Sequence, residues 1–259
     1  MLKQIKKVAI DAAYQAGKTL IKEYDNFDRG RISLKSRNEI VTKADLLSEE
    51  IIIKAIKKNF PTHSILSEEI GFIKSPTGSA FKWIIDPIDG TTNFSIHNPL
   101  WCISIGIAEE DEIVFGIIYA PLMDELFIGE KGEGASLNGK KFYISKIKSG
   151  KIINTLCYGK KEGDVKNAVN YFRKQKLGGF DCRQFGSAAL ELAYVGTGRI
   201  ETCLALGANL WDIAAGVLIV REAGGKVTDL KNQKWNMESR DLLASNGLVH
   251  EEILKVLNK

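Results

Sequence analysis

The sequence predicts a mixed α/β fold built as one unit of two intimate halves. Three patterns predict it: two amphipathic helices near the start, a run of strands with tight turns, and then strands alternating with helices. Apolar residues recur at Leu2, Ile5, Val8, Ala9, Ala12, Ala16, Leu20 and Tyr24, a three-and-four spacing that lays one stripe along a helix. Thr42-Lys43-Ala44-Asp45 has the form of a capping box, so a second helix is expected over 46–60, closed by Pro61. β-Branched and aromatic runs at 81–85, 102–108, 113–119 and 126–129 read as strands. A charged turn at 109–112 and the tight-turn pair Asn138-Gly139 favour a mostly antiparallel sheet. Beyond the polar stretch 146–151, strands at 152–158, 201–206 and 242–245 alternate with helices at 163–175, 187–195, 212–223 and 251–257. Gly224-Gly225 stops the third of these helices. The division is placed near residue 148, giving halves 1–148 and 149–259.

Composition narrows the classes of function. With 44% hydrophobic and 26% charged residues in 259, the chain is long and apolar enough to bury a core, which argues against disorder. The net charge of +4 comes from dispersed lysines rather than a basic patch, which argues against nucleic acid as a partner. Cys102, Cys157, Cys182 and Cys203 form no C-x-x-C pair and read as reduced thiols of a cytoplasmic protein. His63, His97 and His250 show no ligand spacing, so a His/Cys zinc motif is not expected. No apolar stretch approaches the roughly 20 residues of a membrane span, and the N-terminus is amphipathic rather than a signal peptide.

The chemistry concentrates in Trp83-Ile84-Ile85-Asp86-Pro87-Ile88-Asp89-Gly90-Thr91-Thr92-Asn93-Phe94. An apolar strand ends in two carboxylates, with Pro87 fixing the backbone between them and Gly90 permitting an unusual turn. Thr91 and Thr92 would open a helical turn whose free N–H groups receive an anion, while the carboxylates hold a hard cation through oxygen. An isolated D-x-x-D-G is equally a plain turn, but further acids stand at element ends: Asp45 in the capping box, Glu68 after Ile65-Leu66-Ser67, and Asp212 heading an apolar helix. Such a set, without histidines, points to an oxygen-ligand magnesium site. There is no G-x-S-x-G elbow or Cys-His pair, and Lys131-Gly132-Glu133-Gly134-Ala135 lacks the full phosphate fingerprint.

The ordered motifs resemble the inositol monophosphatase family of lithium-sensitive phosphatases. Asp86-Pro87-Ile88-Asp89-Gly90-Thr91-Thr92-Asn93-Phe94 and Trp211-Asp212-Ile213-Ala214-Ala215-Gly216, followed by Glu222-Ala223-Gly224-Gly225, carry the resemblance. Val41-Thr42-Lys43-Ala44-Asp45, Glu68-Glu69, the 131–135 segment with Asn138-Gly139, and Arg183-Gln184-Phe185-Gly186-Ser187-Ala188-Ala189 support it. The resemblance implies a layered αβαβα sandwich, a homodimer, and hydrolysis of a small phosphomonoester by a metal-activated water attacking in line. It implies that Glu68, Asp86 and the Ile88 carbonyl hold a first magnesium, that Asp86, Asp89 and Asp212 hold a second, and that a third, weaker ion sits near Glu68. Asp45, Glu68 and Thr91 would be catalytic. Glu68, Ile88, Asp89, Gly90, Thr91, Arg183, Ser187, Ala188 and Asp212 would meet the substrate, with the Gly90 and Thr91 amides on the phosphate.

Within the family, substrates include inositol phosphates, fructose 1,6-bisphosphate, histidinol phosphate and 3′-phosphoadenosine nucleotides. Several inositol-specific members carry a Glu seven residues before the second-motif Asp, where this chain has Ala205. Losing a carboxylate that hydrogen-bonds ring hydroxyls predicts a broader or different substrate range. Another class of function also remains: some bacterial relatives bind transcription machinery on the same fold.

Overall fold

The computed structural model describes residues 1–29, 33–36 and 39–257. Helix α1 (Leu2–Asp25) buries Ile5, Ala9, Ala12, Ala16 and Leu20 along the stripe its spacing dictates. A short ribbon, β1 (Ser33–Ser36) and β2 (Glu39–Val41), leads to α2 (Lys43–Asn59), capped by Thr42. Then follow β3 (Ser64–Ser67), β4 (Gly71–Ile73), β5 (Phe81–Asp89), the one-turn α3 (Thr91–Ser95), β6 (Cys102–Glu109), β7 (Glu112–Ala120), β8 (Glu125–Glu130), β9 (Gly134–Leu137) and β10 (Lys140–Lys141). Strands β3 to β10 form an eight-stranded sheet in the order β10-β9-β8-β7-β6-β5-β3-β4. It is antiparallel as expected, except that β3 runs parallel to β5.

The second half supplies β11 (Ile153–Tyr158), α4 (Glu162–Leu177), β12 (Asp181–Arg183), α5 (Ala188–Gly196), β13 (Thr202–Leu206), α6 (Leu210–Glu222), β14 (Lys226–Thr228), β15 (Leu242–Ser245) and α7 (His250–Leu257). Its five strands order as β12-β11-β13-β15-β14, parallel on the β12 side and antiparallel on the other. The layers follow from the packing. Helices α1 and α2 cover one face of the large sheet, α5 and α6 lie between the two sheets, and α4 and α7 cover the far face of the small one. This is the expected αβαβα sandwich. The strands with no sequence signal strong enough to be expected are β1 to β4, β12 and β14, each of three or four residues and too short to show alternation.

The two sheets are locked together through α6. A Cβ at Gly116 of β7 would lie 2.9 Å from both Cα and the carbonyl oxygen of Ala215, and one at Gly129 of β8 would lie 2.9 Å from Cα of Ile219. Only glycine lets the helix backbone come this close, which fixes where the start of α6 sits over the large sheet. Among the described residues, no helix is long and apolar enough to cross a membrane.

Candidate active site

The buried strand β5 ends in Asp86 and Asp89, which are 2% and 8% exposed. In an unbroken strand, residues three apart face opposite sides of the sheet. Here the register against β6 shifts between Asp86 and Asp89, so the two carboxylates act on each other electrostatically. Asp86 Oδ1 accepts the Ile88 N–H at 3.0 Å. Gly90 follows with φ 95°, a left-handed conformation that reverses the chain into α3, and a Cβ there would lie 2.9 Å from the Leu100 carbonyl oxygen.

Each further acid is delivered by its own element. Asp45 stands in the first turn of α2, where the Thr42 N–H and hydroxyl donate to its Oδ2 at 2.8 and 2.7 Å. Its other oxygen lies 3.1 Å from Thr91 Oγ1, which also reaches the Ile88 carbonyl at 3.0 Å. The Ser48 hydroxyl donates to the Pro87 carbonyl at 2.9 Å and ties α2 to the strand end. Glu68 emerges from β3, whose parallel pairing with β5 aligns the two strand ends, and its N–H donates to the Ile85 carbonyl at 3.2 Å. Asp212 lies in the first turn of α6 and accepts the Asn209 N–H at 2.8 Å. Asp89 Oδ2 accepts the Ser187 hydroxyl and the Ala189 N–H, both at 2.6 Å, so the start of α5 sits directly on this carboxylate.

The electrostatics follow from this crowding. Burial pushes Asp86 well above the usual carboxylate range, and the charges of Glu68, Asp89, Asp212 and Asp45 push it further. Burial likewise raises Asp212, with Asp89 and Glu68 adding to it. Asp45 is pushed up to about 7 by burial, against the Thr42 hydrogen bonds and with the help of Glu69 and Glu68. Asp89 rises to about 6 through burial, held down by Ser187 and Ala189. Among the described residues, no lysine or arginine is ion-paired with Asp45, Asp86 or Asp89. Buried carboxylates that repel one another need a cation or protons, and this all-oxygen donor set fits magnesium.

The remaining expected substrate residues are placed differently. Ser187 caps α5 at the acid cluster, and Ala188 packs in an apolar cluster with Leu192, Ala205 and Ile213. Arg183 is exposed on β12, where its Nε and Nη2 donate to the Asp181 carboxylate at 3.0 and 2.9 Å. It lines a cavity with Phe185, Tyr194 and Arg199 in which none of the clustered acids takes part.

Three positioning residues escaped sequence reasoning. Asn93 Nδ2 donates to the Leu100 and Phe185 carbonyls, both at 2.7 Å, and so joins the β5 turn to the segment before α5. Glu49 accepts the Ser67 hydroxyl and the Glu69 and Ile70 amides, which fixes the chain around Glu68. Glu191 accepts the Phe185 and Gly186 amides at 2.8 and 3.2 Å. Its signal was available: it is the one acid in the apolar run of α5.

Residues 1–259, the whole chain, match the sequence profile described as the inositol monophosphatase family. An inositol-1-monophosphatase of Mesorhizobium japonicum is 35% identical over 97% of this chain and 95% of its own length. A protein named Nus factor SuhB, from Pasteurella multocida, is 37% identical over 95% of this chain and 93% of its own length. A fructose-1,6-bisphosphatase/inositol-1-monophosphatase of Thermotoga maritima is 38% identical over 85% and 83%. Among solved structures, the extragenic suppressor protein suhB of Bartonella henselae superposes with a TM-score of 0.92 at 32% identity, covering 99% of both chains.

Proposed function

The chain belongs to the inositol monophosphatase family, and from that premise we propose that it is a magnesium-dependent phosphatase of small phosphomonoesters, an inositol-1-monophosphatase in type. One observation carries the reading: Glu68, Asp86, Asp89 and Asp212, delivered by three different elements, crowd together with no side-chain cation among the described residues paired to the buried pair on β5. In this reading Glu68, Asp86 and the Ile88 carbonyl hold one magnesium and Asp86, Asp89 and Asp212 another, with a third, weaker ion near Glu68. When bound, magnesium neutralises these acids, lowers the pKa of water and stabilises the leaving oxygen.

The chain's own groups do the rest. Asp45 and Thr91, 3.1 Å apart, hold and orient the attacking water. Asp45, buried beside Thr91, is the carboxylate placed to take that water's proton. The amides at Gly90 and Thr91 open α3 without intrahelical acceptors and bind phosphate oxygens. Attack proceeds in line, without a covalent phosphoenzyme. Ser187 holds Asp89 in place, Ser187 and Ala188 meet the alcohol portion of the substrate, and Arg183 reaches it only by giving up its pairing with Asp181.

Ala205 is buried on β13 within an apolar cluster, so no carboxylate is offered there to ring hydroxyls. The reading therefore includes activity toward fructose 1,6-bisphosphate or 3′-phosphoadenosine 5′-phosphate besides inositol 1-phosphate. Phosphate release from the three substrates tests it. Comparable rates on at least two support a broad pocket, and a strong preference for inositol 1-phosphate alone refutes it. A second reading is a regulatory role in transcription, favoured by the relatives named Nus factor SuhB. Folded, magnesium-loaded protein that releases phosphate from no member of the panel would favour that reading.

A further inference from the structure

Behind the segment that precedes α5, three side chains with metal-ligating atoms converge from three elements. Cys157 lies on β11, Cys203 on the neighbouring strand β13, and Glu191 on α5. Their ligand atoms all lie within 4.8 Å of one another, and Cys203 Sγ is 3.8 Å from Glu191 Oε2. Zinc bonds of about 2.3 Å to sulfur and about 2.1 Å to oxygen, set tetrahedrally, separate sulfur from oxygen by about 3.6 Å.

Glu191 is fully buried, and its two oxygens have divided roles. Oε1 accepts the Phe185 and Gly186 amides, while Oε2 faces the thiol of Cys203. Among the described residues, no lysine, arginine or histidine is ion-paired with this carboxylate. A buried acid without a cation is costly, so the cluster favours whatever positive charge its ligands can hold.

We propose that Cys157, Cys203 and Glu191 bind one thiophilic divalent cation, zinc or cadmium, at a site separate from the magnesium acids. The charge balance allows it. Burial raises the Glu191 carboxyl above its usual range, and with that carboxylate ionised beside two neutral thiols the site carries one negative charge, which a divalent cation that displaces both thiol protons leaves unchanged. Binding therefore releases two protons to solvent without burying new charge. The fourth position falls to water or to the neighbouring Thr155 hydroxyl, and Cys157, partly exposed, gives access from solvent. Magnesium is a poor competitor, because it takes oxygen ligands in octahedral array.

The test is titration of the reduced, metal-free full chain with cadmium in excess magnesium, read by the ultraviolet thiolate-to-cadmium absorption band. The expected result is a band that saturates at one cadmium per chain, is retained in Cys182→Ser, and is lost in Cys157→Ser and Cys203→Ser. Circular dichroism checks that each variant is folded. Cys157→Ser, at the partly exposed position, carries the test if Cys203→Ser does not fold. The absence of a saturable band in the wild type, or a band of unchanged size in folded Cys157→Ser, would overturn the proposal. Neither outcome depends on phosphatase activity.

Discussion

Replacing Gly116 by alanine tests whether the close approach of α6 to the large sheet positions Asp212. The added Cβ would lie 2.9 Å from Cα and from the carbonyl oxygen of Ala215, and 3.2 Å from its Cβ. Carbon atoms pack best at about 3.5–4.0 Å, so α6 must retreat by roughly 0.5–1 Å. Overpacking of this kind costs about 1–3 kcal/mol. The narrower unfolded ensemble of alanine offsets about 0.4–1 kcal/mol of that. At roughly 2–4 °C per kcal/mol for a chain of this size, the melting temperature should fall by up to about 10 °C. Since α6 carries Asp212, a shift approaching 1 Å should also slow phosphate release by up to about 100-fold. Thermal unfolding and phosphate release, at one fixed magnesium concentration, read both effects. Gly163→Ala on α4 is the control: its Cβ meets nothing within 4 Å, and alanine in a helix should raise stability by up to about 1 kcal/mol. A Gly116→Ala protein that melts and turns over like the wild type would show that the approach of α6 to β7 does not set the position of Asp212.

Other outcomes follow from the same geometry. Ser187→Ala removes both the 2.6 Å hydrogen bond to Asp89 and the cap of α5, so stability should fall by about 1–3 kcal/mol and the magnesium concentration needed for half-activity should rise. An unchanged magnesium requirement would show that Ser187 does not hold Asp89. Asp45 and Asp89 titrate near about 7 and about 6 rather than 3.8, so the folded, metal-free chain takes up protons in that window that the unfolded chain does not. Their contribution to metal-free stability should therefore grow as pH falls from about 7 toward 4, while the stabilisation given by magnesium shrinks; melting curves with and without magnesium at several pH values would show a constant magnesium effect if this is wrong. His250 acts with the opposite sign. Held neutral between Ser245 and Thr228, it is lowered by burial from 6.5 to about 4, so its contribution is complete above the unfolded value and is lost as pH falls toward about 4. The gap in melting temperature between wild type and His250→Asn should narrow over that window, and a constant gap would contradict the assignment.

Much of the fold was legible because long elements announce their period. The α1 stripe and the capping box at Thr42 and Asp45 appear in the structure as read, and so does the hairpin turn at Asn138-Gly139. The acids of the site were legible for a different reason, since each stands at the end of an apolar element where a core residue would otherwise be expected. What the sequence hid is long-range. Nothing near Gly106, Gly116 or Gly129 signals that one helix from the other half lies on all three. Asn93 sits in plain view in the motif, but its partners Leu100 and Phe185 are set by the fold. The thiols that local spacing kept apart meet because β11 and β13 are neighbours. Arg183 shows the converse case: residues two apart on a strand share a face, so Asp181 was a readable partner for it.

The most direct test of the central claim is phosphate release from inositol 1-phosphate by the wild type and by Asp89→Asn, each with and without magnesium. Release should require magnesium in the wild type and collapse in the folded variant. Release that persists without magnesium, or that survives in Asp89→Asn at the wild-type rate, would contradict that claim.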